Sequence, residues 1–217
     1  MAEEQTPQLP EGLRRFVDRR RAAPPEERCE LCAVAIAHEH SHLVERETRR
    51  LVCACRPCYL VFMPKGASGG RFRCVPERYL HDPAFDLTPA QWDDLRIPVG
   101  MAFFFYNSDM KKSVAFYPGP AGATESLLAL DSWETMRETN PLFASIEDDV
   151  EALLVRRSGD TFECYLVPID ACYELVGVVR LNWKGFDGGE EGKKAIGEFF
   201  DGLRDRSRPV PVPGSSS

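Results

Sequence analysis

Cys29-Glu30-Leu31-Cys32 and, after an interval of twenty residues, Cys53-Ala54-Cys55-Arg56-Pro57-Cys58 decide how the N-terminal part of this chain is read. Two Cys-x-x-Cys pairs at this separation can supply four thiolates to one tetrahedral ion, with sulfurs about 2.3 Å from the metal. Cys29, Cys32, Cys55 and Cys58 are the expected ligands, with Cys53 and His42 as alternatives. Core packing alone is a poor reason for five thiols within thirty residues. The competing reading is a set of reduced structural thiols or a disulfide.

Between the pairs, His42-Leu43-Val44-Glu45 and Arg50-Leu51-Val52 read as two short strands joined by a polar turn. Knuckle, hairpin and second knuckle describe a zinc-ribbon or rubredoxin-like unit. A helix after Cys58 would describe a treble clef instead. Rubredoxins usually follow the second cysteine of each pair with glycine, whereas Ala33 and Tyr59 stand there in this chain. That departure favours zinc over iron. His38, His40 and His42 alternate and would share one face of a strand, either as a polar solvated segment or as a metal-holding patch. The Glu39-His40 pair invites comparison with HNH nucleases. However, no asparagine occurs before Asn107 and no histidine between His42 and His81, so the catalytic set of that class is missing.

Around this region, residues 9–21 read as a short basic amphipathic helix, and Ala22-Ala23-Pro24-Pro25 breaks it. Lys65 to Gly70 is a flexible loop, and Arg71 to Val75 alternates as a strand. Thr88-Pro89 starts a helix through Arg96. Val99–Tyr106, Ser113–Tyr117 and Thr124–Leu130 read as strands. Val150–Arg157 and Thr161–Val167 form a hairpin across Ser158-Gly159-Asp160. Helices are expected from Asp131 to Glu138, from an Asp170 cap to about Asn182, and from Gly188-Gly189 to about Arg206. The predicted organisation is therefore α+β. A basic helix and linker (1–25) lead into a small four-cysteine metal-knuckle unit (26–66). An antiparallel sheet of roughly five strands with helices packed on one face follows (67–206), and then a Pro/Ser-rich disordered tail (207–217).

Composition supports a folded core, with 43% hydrophobic and 28% charged residues. The longest apolar run, near Val99 to Tyr106, is far short of the roughly 18 residues of a membrane span. The start, Met-Ala-Glu-Glu-Gln, is acidic and has no apolar signal core. The expected location is the cytoplasm, where clustered cysteines serve metal or redox chemistry more often than disulfides. Net charge is −7, split as +3 over residues 1–78 and −10 over residues 79–217. The acidic larger part disfavours nucleic-acid binding, while the metal region could meet an acidic partner.

No catalytic constellation is legible. There is no Gly-x-Ser-x-Gly elbow, and Gly119-Pro-Ala-Gly122 lacks the lysine of a phosphate loop. Glu147-Asp148-Asp149-Val150-Glu151 reads as a solvated turn, with a cation site as the alternative. Cys74, Cys164 and Cys172 lie in apolar segments and read as small core residues. Tyr173, Trp183, Phe186 and the Gly188-Gly189 turn form a candidate docking edge, although Trp183 could equally close the core.

CELC (29–32), HSHLVE (40–45), LVCACRPCYLVF (51–62), IPVGMAFFFYNS (97–108), YPGPAGATES (117–126) and LVPIDACYELVGVVRLNWKGFDGG (166–189) together resemble an uncharacterised bacterial family. It is common in actinobacteria and often encoded beside nickel–iron hydrogenase structural and maturation genes. The resemblance runs from about Cys29 to Leu203. It implies an association with hydrogenase assembly or electron transfer and supplies no catalytic residue. Three function classes stand at this point. One is a zinc-binding accessory protein acting on a protein partner, by resemblance a nickel–iron hydrogenase or its maturation factors. Another is a rubredoxin-like iron carrier using the same cysteines. The third is an enzyme with an unrecognised site in the α+β part.

Overall fold

The computed structural model describes residues 26–126, 133, 141–185 and 188–210. The helix expected over 9–21, Phe186, the tail beyond 210 and all of the 131–138 helix except Trp133 lie outside the described residues.

The mixed α+β architecture is the expected one, with two antiparallel sheets of unequal size. In the small sheet, β1 (Ser41–Glu45) and β2 (Arg50–Ala54) form the hairpin, with His42 opposite Cys53 and Leu43 opposite Val52. Arg49 closes the turn in the left-handed region, at φ 54. The third strand, β3 (Phe72–Cys74), pairs with the free edge of β1. The small sheet thus takes a strand from beyond residue 66. Helix α1 (Arg56–Phe62) follows β2 at once, with Pro57 in its first turn, where a missing N–H costs nothing.

Period-two alternation gives this small sheet two different faces. Leu43, Val52 and Ala54 point to one side and bury Tyr59 of α1; the Tyr59 hydroxyl donates to the Val75 carbonyl at 2.9 Å. His42, Val44, Leu51 and Cys53 point to the other side. There Val44 and Val75 join the main core, and Leu51 packs against it. Both faces are therefore covered, one by the unit's own helix and the other by the larger part of the chain.

The large sheet runs in the order β10-β4-β9-β8-β5-β6-β7 among the described residues. Its strands are β4 (Leu80–His81), β5 (Met101–Asn107), β6 (Lys112–Gly119), β7 (Gly122–Ser126), β8 (Glu151–Ser158), β9 (Thr161–Pro168) and β10 (Arg208–Pro209). All neighbours are antiparallel except β10 on β4. The two-residue strands β4 and β10 are too short to leave a pattern in sequence. They raise the sheet from about five strands to seven, and they draw in Arg208 and Pro209, which the sequence assigned to the tail.

The long helices α4 (Ile169–Asn182) and α5 (Gly189–Arg206) share one face, where Leu175, Val179, Phe200 and Leu203 are buried. The opposite face is covered by α2 (Pro89–Asp94), α3 (Pro141–Ala144) and Trp133, whose ring stacks on Phe104 with centroids 3.5 Å apart. Burial on both faces explains why β8 and β9 carry near-continuous apolar runs. Thr88 and Gln91 form a reciprocal capping box at the start of α2.

Two local expectations are corrected, and an open one is resolved. Asp170 does not cap α4: Pro168 holds the N-cap position, and Asp170, in the first turn, accepts from His42 Nδ1 at 2.8 Å. Trp183 packs against the main core and donates its indole N–H to the Gly185 carbonyl at 3.1 Å. A Cβ on Gly188, at φ 85, would come 3.0 Å from that ring, so glycine is required there both by conformation and by space. The acidic run 147–151 is not a solvated turn. Glu151 is fully buried and held by Arg78 through two parallel bonds, Nε to Oε1 at 2.6 Å and Nη2 to Oε2 at 2.7 Å. The Glu147 N–H adds a third bond at 2.8 Å. Asp149 accepts from the Ser108 N–H and hydroxyl and lies 3.5 and 3.6 Å from Arg46 and Arg73. The run is thus the acceptor set for arginines at the boundary between the two sheets.

Removing Arg78, which is itself partly exposed, leaves the fully buried Glu151 carboxylate without its cation, at a cost of about 3 kcal/mol. Arg78→Ala is expected to lower unfolding free energy by about 3 kcal/mol in urea titration. Arg78→Lys is expected to recover only part of it, since an ammonium cannot reproduce the two-pronged geometry.

Candidate metal centre

The first cysteine pair sits on a tight turn. The Ala33 N–H bonds the Cys29 carbonyl at 2.7 Å and the Cys29 N–H bonds the Val34 carbonyl at 2.9 Å, closing the knuckle around Leu31. Ala33 lies in the left-handed region at φ 61. It occupies by strain the conformation that a glycine would adopt freely, at a cost of about 1 kcal/mol. The knuckle is tied to β2 by two backbone-directed bonds. The Glu30 N–H donates to the Cys53 carbonyl, and the Cys53 N–H donates to the Glu30 carboxylate, both at 2.9 Å. Arg50 holds the other oxygen of Glu30.

The second pair is placed by a helix instead of a second knuckle. Cys55 is the N-cap of α1 and Cys58 lies in its first turn. Three residues apart on a helix, the two side chains share one side. Knuckle, hairpin and helix make the treble-clef arrangement of the alternatives raised by the sequence.

These elements bring the sulfurs of Cys29, Cys32, Cys55 and Cys58 within 4.8 Å of one another. Cys32 Sγ and Cys55 Sγ are 3.6 Å apart. A disulfide requires about 2.05 Å, and all four cysteines are free. The edge of a tetrahedron with 2.3 Å bonds is about 3.8 Å, so the spacing fits four ligands around one ion. Cys29 is buried and Cys32 is exposed, which places the group at the rim of the small unit.

The protonation of the four thiols shows how crowded the group is. Burial would raise Cys29, but backbone bonding involving Cys55, Leu31 and Cys32 outweighs it and brings the thiol down to about 6. Cys58 is pushed up to about 12, first by the Cys55 thiol, then by burial and by Cys32 and Cys29. One sulfur readily carries negative charge and its neighbour holds on to its proton. Four thiolates coexist at this distance only when a cation sits among them. The group can bind a metal ion. Zinc or iron would be held by the same four sulfurs, and the donor set alone does not select between them.

The alternative ligands lie elsewhere. Cys53, in β2, points to the opposite face from Val52 and Ala54. Its sulfur groups with His42 and His40, outside the four-cysteine set. Burial first, then Glu30 and Glu27, raise the Cys53 thiol. His38 lies in a bend before β1 and joins neither set. The Cys53–His42 juxtaposition was available from sequence through the hairpin register, which sets the two residues directly across from each other. Asp170, the partner of His42, carried no sequence signal because it lies 128 residues away. Cys164 and Cys172 are buried small core residues whose thiols burial raises strongly. Cys74 is half-buried and bonds the Tyr59 carbonyl at 3.4 Å.

Single Cys→Ser variants at 29, 32, 55 and 58 are expected to lose bound metal in elemental analysis of purified protein. Full retention in any one of them would remove that residue from the ligand set. Ala33→Gly relieves the left-handed strain of the knuckle and is expected to tighten metal binding a few-fold in chelator competition.

No curated protein and no solved structure shows a significant match to the chain. A family model does match, over residues 28–207, which takes in all four clustered cysteines and nearly all of both sheets. The chain belongs to that family of unknown function, DUF5947.

Proposed function

We propose that this protein is a metal-binding accessory protein that acts by docking on another protein, with one structural zinc ion held by Cys29, Cys32, Cys55 and Cys58. The observation that carries this reading is the convergence of two sulfurs from the knuckle and two from the start of α1 within 4.8 Å. Closed four-thiolate zinc sites fix small folds. This unit has a small core of its own, centred on Leu43, Val52, Ala54 and Tyr59, so its order depends on coordination. The functional parts are a metal unit over about 26–66, extended by β3, and the α+β part over 67–206.

A docking role is supported by what the metal unit exposes. Leu31 and Val34 on the knuckle, Leu60 and Val61 on α1 and Met63 at its C-cap are exposed apolar side chains, Val61 at 66%. Exposed apolar side chains on elements joined through the cysteine group are material for an interaction surface. The partner proposed is a nickel–iron hydrogenase or one of its maturation proteins. Support for it comes from the resemblance of the cysteine, hairpin and α4 strings to the hydrogenase-associated family. The proposed location is the cytoplasm. No helix of the described residues is long and apolar enough to cross a membrane.

The second reading is a rubredoxin-like iron carrier. The exposure of Cys32 favours it, because electron transfer needs a centre near the surface. Anaerobically purified protein is expected to be colourless, with one zinc for each set of four cysteines. A red, iron-containing protein would favour the carrier. The double variant Val61→Glu/Met63→Glu is expected to keep its metal and melting temperature yet lose about ten-fold or more in affinity for hydrogenase or maturation proteins in a pull-down. Unchanged binding would exclude this surface. After chelation, amide exchange is expected to rise across residues 29–62 while 150–167 stays protected. Uniform deprotection would show that the two sheets melt as one.

A further inference from the structure

We propose that His40, His42 and Cys53 form a second metal site, separate from the four-cysteine group, for a late first-row divalent transition ion held with an open coordination position. His42 and Cys53 face each other directly across the hairpin. His40, two residues before His42, reaches the same face, and the two imidazole centroids are 4.6 Å apart. One ligating atom from each of the three residues lies within 4.8 Å of the others. Coordination bonds of about 2.0–2.3 Å call for edges of about 3.3–3.8 Å, a closure that side-chain torsions can supply.

The surroundings prepare both histidines as ligands. His42 Nδ1 lies 2.8 Å from Asp170 Oδ2. His40 Nδ1 lies 2.9 Å from the Ala37 carbonyl and 3.0 Å from the His38 carbonyl. Each Nδ1 faces oxygen acceptors, so each carries the proton and leaves the Nε2 lone pair available. Carboxylate–histidine and carbonyl–histidine bonds of this kind orient metal-bound imidazoles. His40 Nε2 is buried and has no hydrogen-bond partner, and the His40 side chain is only 8% exposed. A buried acceptor without a partner costs about 1–3 kcal/mol, and a cation at this position removes that cost. Glu27, 3.5 Å from His40, and Asp170 supply negative charge beyond the three ligands.

Two imidazoles and one thiolate suit zinc, cobalt, nickel and copper in preference to magnesium or calcium. Three protein ligands leave one position for water or an exchanging donor, in contrast to the closed four-cysteine group. An open cleft of about 680 Å³, lined by His40, Ser41, Asp170, Glu77 and Tyr79, reaches the group on its His40 side. The site joins a hairpin of the metal unit to α4 of the large part through His42 and Asp170. Occupancy would therefore tighten the contact between the two sheets. This assignment rests on His40, His42 and Cys53 alone and does not depend on the partner proposed above.

The test is a cobalt(II) titration of full-length protein already loaded with one zinc per chain, followed by absorbance and by metal analysis after desalting. The expected result is a second equivalent, with visible d–d bands of tetrahedral intensity and a near-ultraviolet thiolate-to-cobalt band. In Cys53→Ala the thiolate band is expected to vanish while the first zinc remains. His40→Gln and His42→Gln should each weaken the second equivalent by about ten-fold or more, and Asp170→Asn, which leaves all three ligands in place, by about 10–100-fold. Far-ultraviolet circular dichroism checks that each variant is folded. A single equivalent in the wild type would overturn the proposal. So would a second equivalent indifferent to these four substitutions, or loss of the first zinc, and not the second ion, in Cys53→Ala.

Discussion

Four sulfurs drawn within 4.8 Å of one another are the constraint on which the N-terminal architecture depends. As thiols they share protons unevenly, with Cys29 lowered to about 6 and Cys58 raised to about 12. As thiolates they repel. A cation turns that repulsion into attraction and in doing so fixes the knuckle, the end of β2 and the first turn of α1 relative to one another. With an ion bound, coordination would hold both flanks of the hairpin between them, which carries few apolar residues of its own.

The unit does not stand apart from the rest of the chain. β1 buries Leu43 against its own helix and Val44 against the main core. Part of the charge imbalance along the sequence is met inside the molecule. Arg46, Arg73 and Arg78 from the basic segment meet Asp149 and Glu151 from the acidic one. Glu45 is likewise enclosed by Arg71 and Arg50. By composition the metal region could meet an acidic partner. The chain's own 147–151 run meets the arginines of that region.

The two cysteine-containing groups differ in a way that bears on function. The four-cysteine group is closed and local, built from residues within thirty positions. The His40, His42 and Cys53 group is open and lies where the small sheet meets α4, with Asp170 supplied from far along the chain. The first is the closed set proposed for a structural ion and the second the open set proposed for an exchangeable one.

The sequence by itself determined the elements whose cause is local. The Cys-x-x-Cys spacing marked the four sulfurs, alternation marked β1 and β2, the Thr88-Pro89 cap marked α2, and the long apolar runs marked β8, β9 and α4. Tertiary structure decided the rest. It set Cys55 beside Cys29 and Cys32, because β2 ends at Ala54 and Cys55 opens α1. It moved β3 into the small sheet and added β4 and β10, whose two residues each hold a place only through their neighbours. It turned Asp170 from a helix cap into the partner of a histidine, and Glu151 from a solvated carboxylate into a buried one. These outcomes depend on pairings separated by tens of residues, such as Arg78 with Glu151 and His42 with Asp170, and local propensity carries no information about them.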